Sequence, residues 1–106
     1  MTRHRLPNRR PHEVVPLTFR GLSHTVGFNR RAEGQISEIF LDAAKQSTDT
    51  ADDARDLALA VSIGLQHGVP LETLRHSALR DASGAPQGLL GAVCDALASL
   101  DQEQAA

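Results

Sequence analysis

The sequence predicts an α+β domain, in which a small antiparallel sheet of about three strands is followed by three helices packed on one face. Apolar and polar residues alternate over residues 13–29, which is the period of half-buried strands, and residues 35–42 form a further β-rich run. From residue 50 onward apolar residues recur at helical spacing in three stretches. Strands that precede helices, instead of alternating with them, favour α+β over α/β.

Three strands account for the first part of this pattern. Residues 13–19 form the first, and Pro16 places it at the sheet edge because proline cannot donate a ladder hydrogen bond. A second strand covers residues 22–29, and its inward-facing residues are predicted to be Leu22, His24, Val26 and Phe28. A polar hairpin loop over residues 30–34 then leads into the third strand, residues 35–42, which should pair antiparallel with the second.

N-cap, glycine and proline residues mark the ends of the predicted helices. Thr50 is the expected N-cap of the first helix, with Asp53 in its first turn where the helix dipole favours a carboxylate. Gly68 should end this helix in the left-handed conformation, and Pro70 suits the start of the second. The third helix is expected to run to Leu100.

Each helix has a predicted apolar face. The first helix should be central and largely buried, because Leu59, Ala60 and Ile63 add apolar residues outside its main stripe. That main stripe comprises Ala54, Leu57, Ala58, Val61 and Leu65. The second helix should face inward through Leu71, Leu74, Ala78 and Leu79. The third should do so through Leu89, Leu90, Val93, Cys94, Leu97 and Leu100.

Length and composition indicate one core. With 106 residues, of which 41% are apolar, we predict a single domain over residues 12–100, a flexible basic arm over residues 1–11 and a polar tail over residues 101–106. No apolar stretch resembles a secretory signal or reaches the roughly 18 residues of a membrane span, which favours a cytoplasmic location and no membrane partner.

Charge is distributed unevenly along the chain. Residues 1–31 hold seven Arg and one acidic residue, whereas residues 32–106 hold four basic and twelve acidic residues. This asymmetry fits an anionic partner, head-to-tail attraction between two copies, or a solvated basic tail. The candidate contacts to an anion or a nucleic acid are Arg3, Arg5, Arg9, Arg10, Arg30 and Arg31.

The sequence contains no recognisable catalytic or metal-binding constellation, so we predict no catalytic residue, no cofactor and no metal. Cys94 lies on an apolar helical stripe, where a buried and inert thiol is expected. Of the five histidines, His24 should be partly buried in a strand, His67 should complement a helix end and His76 should be exposed. None has the spacing of a zinc site.

A nucleic-acid-binding function is the alternative. Residues 64–74 are spaced like a helix-turn-helix, and the basic arm could bind phosphates. The would-be recognition helix, however, offers only Arg75 and Arg80 in acidic surroundings.

Two segments resemble a known family. Residues 60–74, AVSIGLQHGVPLETL, and residues 34–43, GQISEIFLDA, are similar to the TSCPD-type domain at the C-terminus of adenosylcobalamin-dependent (class II) ribonucleotide reductases. The GLQHGVPLE run is the more specific part, and the order of elements agrees over roughly residues 10–98.

This chain departs from the family pattern in ways that limit what carries over. The cysteine-containing signature that names the domain, the C-terminal redox cysteine pair and the large catalytic barrel are all absent from the sequence. The resemblance therefore implies an association with deoxyribonucleotide synthesis, the reaction of ribonucleoside-diphosphate reductases, but not catalysis by this chain alone. We expect an accessory domain that acts through a protein partner, for which a reductase large subunit is a candidate, and a homodimer formed through a free sheet face or edge.

Overall fold

Three strands precede three helices along the chain, which confirms the predicted α+β class. The computed structural model describes residues 13–43 and 48–105. The elements are β1 (Glu13–Phe19), β2 (Leu22–Arg30), β3 (Ile36–Ala43), α1 (Thr48–Gln66), α2 (Leu71–Ser77) and α3 (Leu89–Ala105). The strands form one antiparallel sheet in the order β1-β2-β3.

Contacts divide the chain into two compact units, residues 1–69 and residues 70–106. The first, here called the sheet unit, holds the sheet and α1; the second, the helical unit, holds α2 and α3. The single domain over residues 12–100 stays a prediction. Within the described part of the chain, no helix is both long enough and apolar enough to cross a membrane.

The β1–β2 hairpin turns through two residues with positive φ. Arg20 has a φ of 53° and Gly21 a φ of 74°, which are the signs that a type I′ turn requires. The Arg20 guanidinium lies 5.0 Å from the centre of the Phe19 ring. The predicted turn at Gly21 is therefore confirmed, and it sets the register that pairs Phe19 with Leu22.

The core of the sheet unit is built from residues of β2, β3 and α1, and α1 packs against β3. Val26 and Phe28 are fully buried, and they share a sheet face with Ile39 and Leu41 of β3. The residues of α1 that are buried with them are Ala51, Ala54, Ala58, Val61 and Leu65. Most of the predicted apolar stripe is thus confirmed, although Leu57 is only half-buried.

The expected burial of β2 is wrong at both ends of the strand. Leu22 was predicted to face inward but is 40% exposed, because it flanks the hairpin turn. Gly27 and Asn29 were placed on the polar face and are buried. Strand β2 is the central strand, and β1 and β3 flank it. The buried Asn29 side chain donates a hydrogen bond to the Glu38 carboxylate of β3 at 3.1 Å.

Helix α1 begins earlier than expected and ends where expected. It starts at Thr48, so Thr50 lies inside the first turn and is not the N-cap. Ala51 is buried and extends the apolar face of α1 by one turn towards the N-terminus of the helix. At the other end Gly68 has a φ of 93°, and the Val69 N–H donates to the Gly64 carbonyl at 2.9 Å, which is the pattern of a Schellman motif.

The helical unit differs from its prediction in three details. Pro70 is the N-cap of α2 and not a first-turn residue, and α2 ends at Ser77 with Ala78 in an extended conformation. Leu79 therefore leaves the helical periodicity and is 73% exposed, so its predicted inward position is wrong. Helix α3 continues to Ala105 through residues assigned from composition to a polar tail. Glu, Gln and Ala are good helix formers and sustain a helix beyond its apolar face.

Candidate functional site

The arginines predicted to contact anions separate into two groups. Arg3, Arg5, Arg9 and Arg10 lie outside the described residues. Arg30 and Arg31 lie at the β2–β3 hairpin, as expected, and both contact the protein itself. Arg30 pairs with Glu13 at 2.9 Å and donates to the Gly34 carbonyl at 2.8 Å.

Arg31 reaches from the hairpin to the end of α1. Its guanidinium donates to the Leu65 carbonyl at 2.9 Å, where a cation complements the negative end of the helix dipole. Hairpin and helix are thereby joined within the sheet unit. Both hairpin arginines thus have structural roles, and their binding to an anion stays a prediction.

The two arginines of the predicted recognition helix region surround one carboxylate in the helical unit. Arg80 holds both oxygens of Asp95 at 2.8 Å, and the Arg75 Nε lies 2.9 Å from Asp95 Oδ1. Arg75 also pairs with Glu72 at 3.1 Å. These contacts neutralise the positive charge that a DNA-reading surface would need. The nucleic-acid alternative therefore depends on the basic arm and stays a prediction.

This ion-pair cluster predicts a pH dependence of stability. Hydrogen bonds from Arg80 and Arg75 lower the pKa of Asp95 from 3.8 to about 2. Since the folded pKa lies below the unfolded value, the stabilisation is fully present above about pH 4 and is lost as the pH falls towards 2. We expect Asp95→Asn to lower the free energy of unfolding at pH 7 by about 1 to 2 kcal/mol, after allowance for solvent screening.

Urea unfolding of both chains between pH 2 and pH 7 measures this difference. The gap between wild type and Asp95→Asn should close at the acid end. Asp52→Asn, at an exposed position of α1, is the control and should leave the free energy of unfolding within about 0.5 kcal/mol. A gap that stays constant with pH would contradict the assignment.

Cys94 is fully buried in α3, as predicted. Burial raises the pKa of its thiol from 9.0 to about 11, so the nucleophilic thiolate is scarce at neutral pH. His24 is also buried, at 4% exposure, and its Nδ1 has no hydrogen-bond partner among residues 13–43 and 48–105. His76 is exposed, as predicted, and lies 2.9 Å from Glu72. In the same part of the chain, no three metal-binding side chains come together.

The burial of Cys94 predicts slow thiol chemistry. At pH 8 the native chain should react with an aromatic disulfide reagent at least about 100-fold more slowly than the urea-unfolded chain, because both the thiolate fraction and its access are reduced. The sequence has one cysteine, so absorbance at a single wavelength reports this site alone. Comparable rates in the two states would contradict the buried position.

Helix α1 closes the free edge of the sheet. The Ile39 N–H donates to Ser62 Oγ at 2.9 Å, and the Ser62 hydroxyl donates to the Ile39 carbonyl at 3.1 Å. One helical turn further on, Gln66 Nε2 donates to the Ser37 carbonyl at 3.4 Å. Side chains of α1 thus take the place of a fourth strand at these residues.

A groove of about 410 Å³ follows this edge on the outer side of the sheet unit. We call it the edge groove. Apolar surface dominates its walls, and Glu38, Asp42 and Arg55 are the charged residues among those that line it. The other lining residues are Ile39, Phe40, Leu41, Ala58, Leu59, Ser62 and Gln66.

The edge groove was not predicted from the sequence. Leu59 was assigned to a largely buried helix but is 57% exposed, and that part of the prediction is wrong. Leu59 lies outside the main apolar stripe of α1, and this position in the sequence could have indicated that its side chain is exposed.

The predicted homodimer stays a prediction. Of the two expected routes, a free sheet face or a free sheet edge, pairing of an edge is disfavoured at both edges of the sheet. Pro16 contributes no N–H to the β1 edge, and Ser62 and Gln66 occupy backbone groups of β3.

The geometry defines a small α+β protein with a buried thiol and an exposed groove. Comparison with known proteins shows sequence similarity to a class of enzymes. The vitamin B12-dependent ribonucleotide reductase of Streptantibioticus cattleyicolor is 38% identical over 71 residues, which cover 67% of this chain and 12% of the reductase. The enzymes of the same name from Streptomyces clavuligerus and Agrobacterium fabrum are 38% and 37% identical, and the matched region covers 7% and 6% of their lengths. No family model matches the chain, and no solved structure does.

The chain is therefore related to vitamin B12-dependent ribonucleotide reductases, and it spans no more than 12% of the length of these curated relatives. The relationship to reductases that the two sequence segments predicted is therefore confirmed as sequence similarity to a small part of these enzymes. The assignment to the TSCPD type stays a prediction.

Proposed function

We propose that the chain is a non-catalytic accessory domain of the TSCPD type that acts in deoxyribonucleotide synthesis, in the cytoplasm, by binding a protein partner. The observation that carries this proposal is 38% identity to vitamin B12-dependent ribonucleotide reductases over 71 residues, a segment that is only 12% or 7% of each enzyme. A segment of this size corresponds to one small domain of a much larger protein. A reductase large chain is thus the first candidate partner.

The described chemistry supports an interaction role. The thiol of Cys94 is buried and its pKa is raised to about 11, so it is poorly suited to the thiolate or radical chemistry of ribonucleotide reduction. The ion pairs of Asp95 and of Arg30 hold structural elements together within their own units. The edge groove, in contrast, exposes apolar surface of the kind that binds partners.

The direct test is binding to a vitamin B12-dependent ribonucleotide reductase, for which the enzyme of Streptantibioticus cattleyicolor serves as the probe. Titration of the purified chain into the purified reductase in a calorimeter should show a saturable complex with a Kd of about 10 μM or tighter. The chain alone should convert no ribonucleotide to deoxyribonucleotide when cobalamin and a thiol reductant are supplied. Absence of a complex at 100 μM, or turnover by the chain alone, would overturn the proposal.

A further inference from the structure

The edge groove presents apolar side chains from two different elements. Phe40 of β3 is half-buried at its sheet wall, and Leu59 of α1 is 57% exposed at its helix wall. The floor is closed because Ser62 and Gln66 already bond to β3. The groove can therefore receive an apolar side chain from outside the molecule without displacing a contact of the sheet.

The surroundings of the groove are acidic. Glu38 and Asp42 line it from the sheet, with Asp42 exposed and Glu38 half-buried. Asp52 and Asp56 are exposed on α1, seven and three residues before Leu59, and helical spacing places them on the same side of the helix as Leu59. Among the residues that line the groove, Arg55 carries the opposing charge. Among the groove-lining residues and these two exposed residues of α1, acidic side chains predominate over the Arg55 guanidinium and create a negative potential around an apolar centre.

We propose that the edge groove binds a basic segment of the protein partner, which inserts one apolar side chain between Phe40 and Leu59. Lys or Arg residues beside that side chain would pair with Asp42, Asp52 and Asp56 at the rim. This inference rests on the proposed function and adds to it the surface used and the chemistry that the surface recognises. An apolar anchor surrounded by complementary rim charges is a common arrangement in protein interfaces.

Charge complementarity favours a basic protein segment over a nucleic acid or a lipid surface as the molecule that binds the groove. Nucleic acids and anionic lipid surfaces would face the carboxylates of Asp42, Asp52 and Asp56 and be repelled. Basic segments gain from the same carboxylates, and this gain weakens as salt screens the charges. The proposal therefore predicts an affinity that falls with ionic strength and depends on Leu59.

The test compares groove variants with matched controls in the reductase titration described above. Leu59→Asp removes the apolar wall, and the double variant Asp42→Lys, Asp56→Lys reverses the rim charge. The controls are Leu79→Asp, at an apolar position that is 73% exposed, and the double variant Glu33→Lys, Asp81→Lys, at exposed loop positions that do not line the groove. Circular dichroism and the urea midpoint establish that each variant is folded.

We expect both groove variants to weaken the Kd at least about tenfold and both controls to leave it within about twofold. Wild-type affinity should fall between 50 and 300 mM NaCl, and the charge-reversed double variant should lose most of that dependence. A complex that forms equally well with all four variants would overturn the groove assignment while leaving the proposed function in place. Self-association that Leu59→Asp abolishes would assign the groove to a second copy and overturn the partner assignment.

If no reductase complex forms, the proposed function fails, and a defined probe then tests the groove separately. The probe is a fluorescein-labelled synthetic heptapeptide with one leucine flanked by lysines, measured by fluorescence anisotropy. Binding to wild type and to Leu79→Asp, but not to Leu59→Asp, would support the groove. Equal binding to all three, or none to wild type, would overturn it.

Discussion

Replacing Phe28 with alanine is expected to lower the free energy of unfolding by about 3 to 5 kcal/mol. The ring is fully buried and shares a sheet face with Val26, Ile39 and Leu41, so truncation removes apolar contacts and leaves a cavity in the core. The Arg30 guanidinium also lies 5.3 Å from the centre of this ring and would lose that cation–π contact. Urea unfolding followed by circular dichroism measures the change.

Val14→Ala is the matched control for this substitution. Val14 lies on β1 and is 65% exposed, so its truncation should change the free energy of unfolding by no more than about 0.5 kcal/mol. A Phe28→Ala effect below about 1 kcal/mol would contradict the position of this ring at the centre of the core.

Replacing Ser62 with alanine should cost about 2 to 4 kcal/mol, although only one oxygen is removed. That hydroxyl accepts from the Ile39 N–H and donates to the Ile39 carbonyl, and both backbone groups lie in a buried residue. Each buried polar group left without a partner costs about 1 to 3 kcal/mol. The unfolding free energy measures the total cost.

Amide hydrogen exchange provides a site-specific readout of the same change. The Ile39 N–H should exchange faster in Ser62→Ala than can be accounted for by the loss of global stability. Ser99→Ala, at an exposed position of α3, should change neither quantity. Unchanged exchange at Ile39 would show that α1 does not protect this edge.

These two predictions also bear on function. Ser62 and Gln66 satisfy the β3 edge at Ile39 and Ser37, and the edge groove lies beside the same elements. A helix that closes a sheet edge prevents indiscriminate strand pairing. Half-buried Phe40 and exposed Leu59 then remain available at the groove walls for the partner that we propose. This division of roles is consistent with an interaction domain related to a segment of vitamin B12-dependent ribonucleotide reductases.

Much of the fold could be predicted because its signals are local. The alternation over residues 13–29 marks two strands, and Gly21 and Gly68 mark turns where a positive φ is needed. The predicted ends of the helices agree less well with the structure. Helix α1 begins at Thr48, two residues before its expected N-cap, and Leu79 is exposed because α2 ends at Ser77. The ends of helices depend on their tertiary context, which single-residue propensities do not contain.

The candidate site was mostly beyond prediction for the same reason. The hydrogen bonds of Ser62 to Ile39 and of Gln66 to Ser37 join residues 23 and 29 positions apart, and no short motif encodes them. The contact of Arg31 with the Leu65 carbonyl spans 34 positions. Sequence placed Arg30 and Arg31 at the hairpin, and the structure supplied their partners.

By itself, the sequence determined the α+β class, the order of the six elements, the turns at Gly21 and Gly68, the burial of Cys94 and the relationship to reductases. These properties follow from hydrophobic period, backbone conformational preference and similarity along the chain. Only the tertiary structure decided that α1 closes the β3 edge, that Leu59 is exposed and that Arg75 and Arg80 share Asp95. These properties depend on contacts between residues that are far apart in the sequence, because such contacts determine which side chains are buried and which charges are paired.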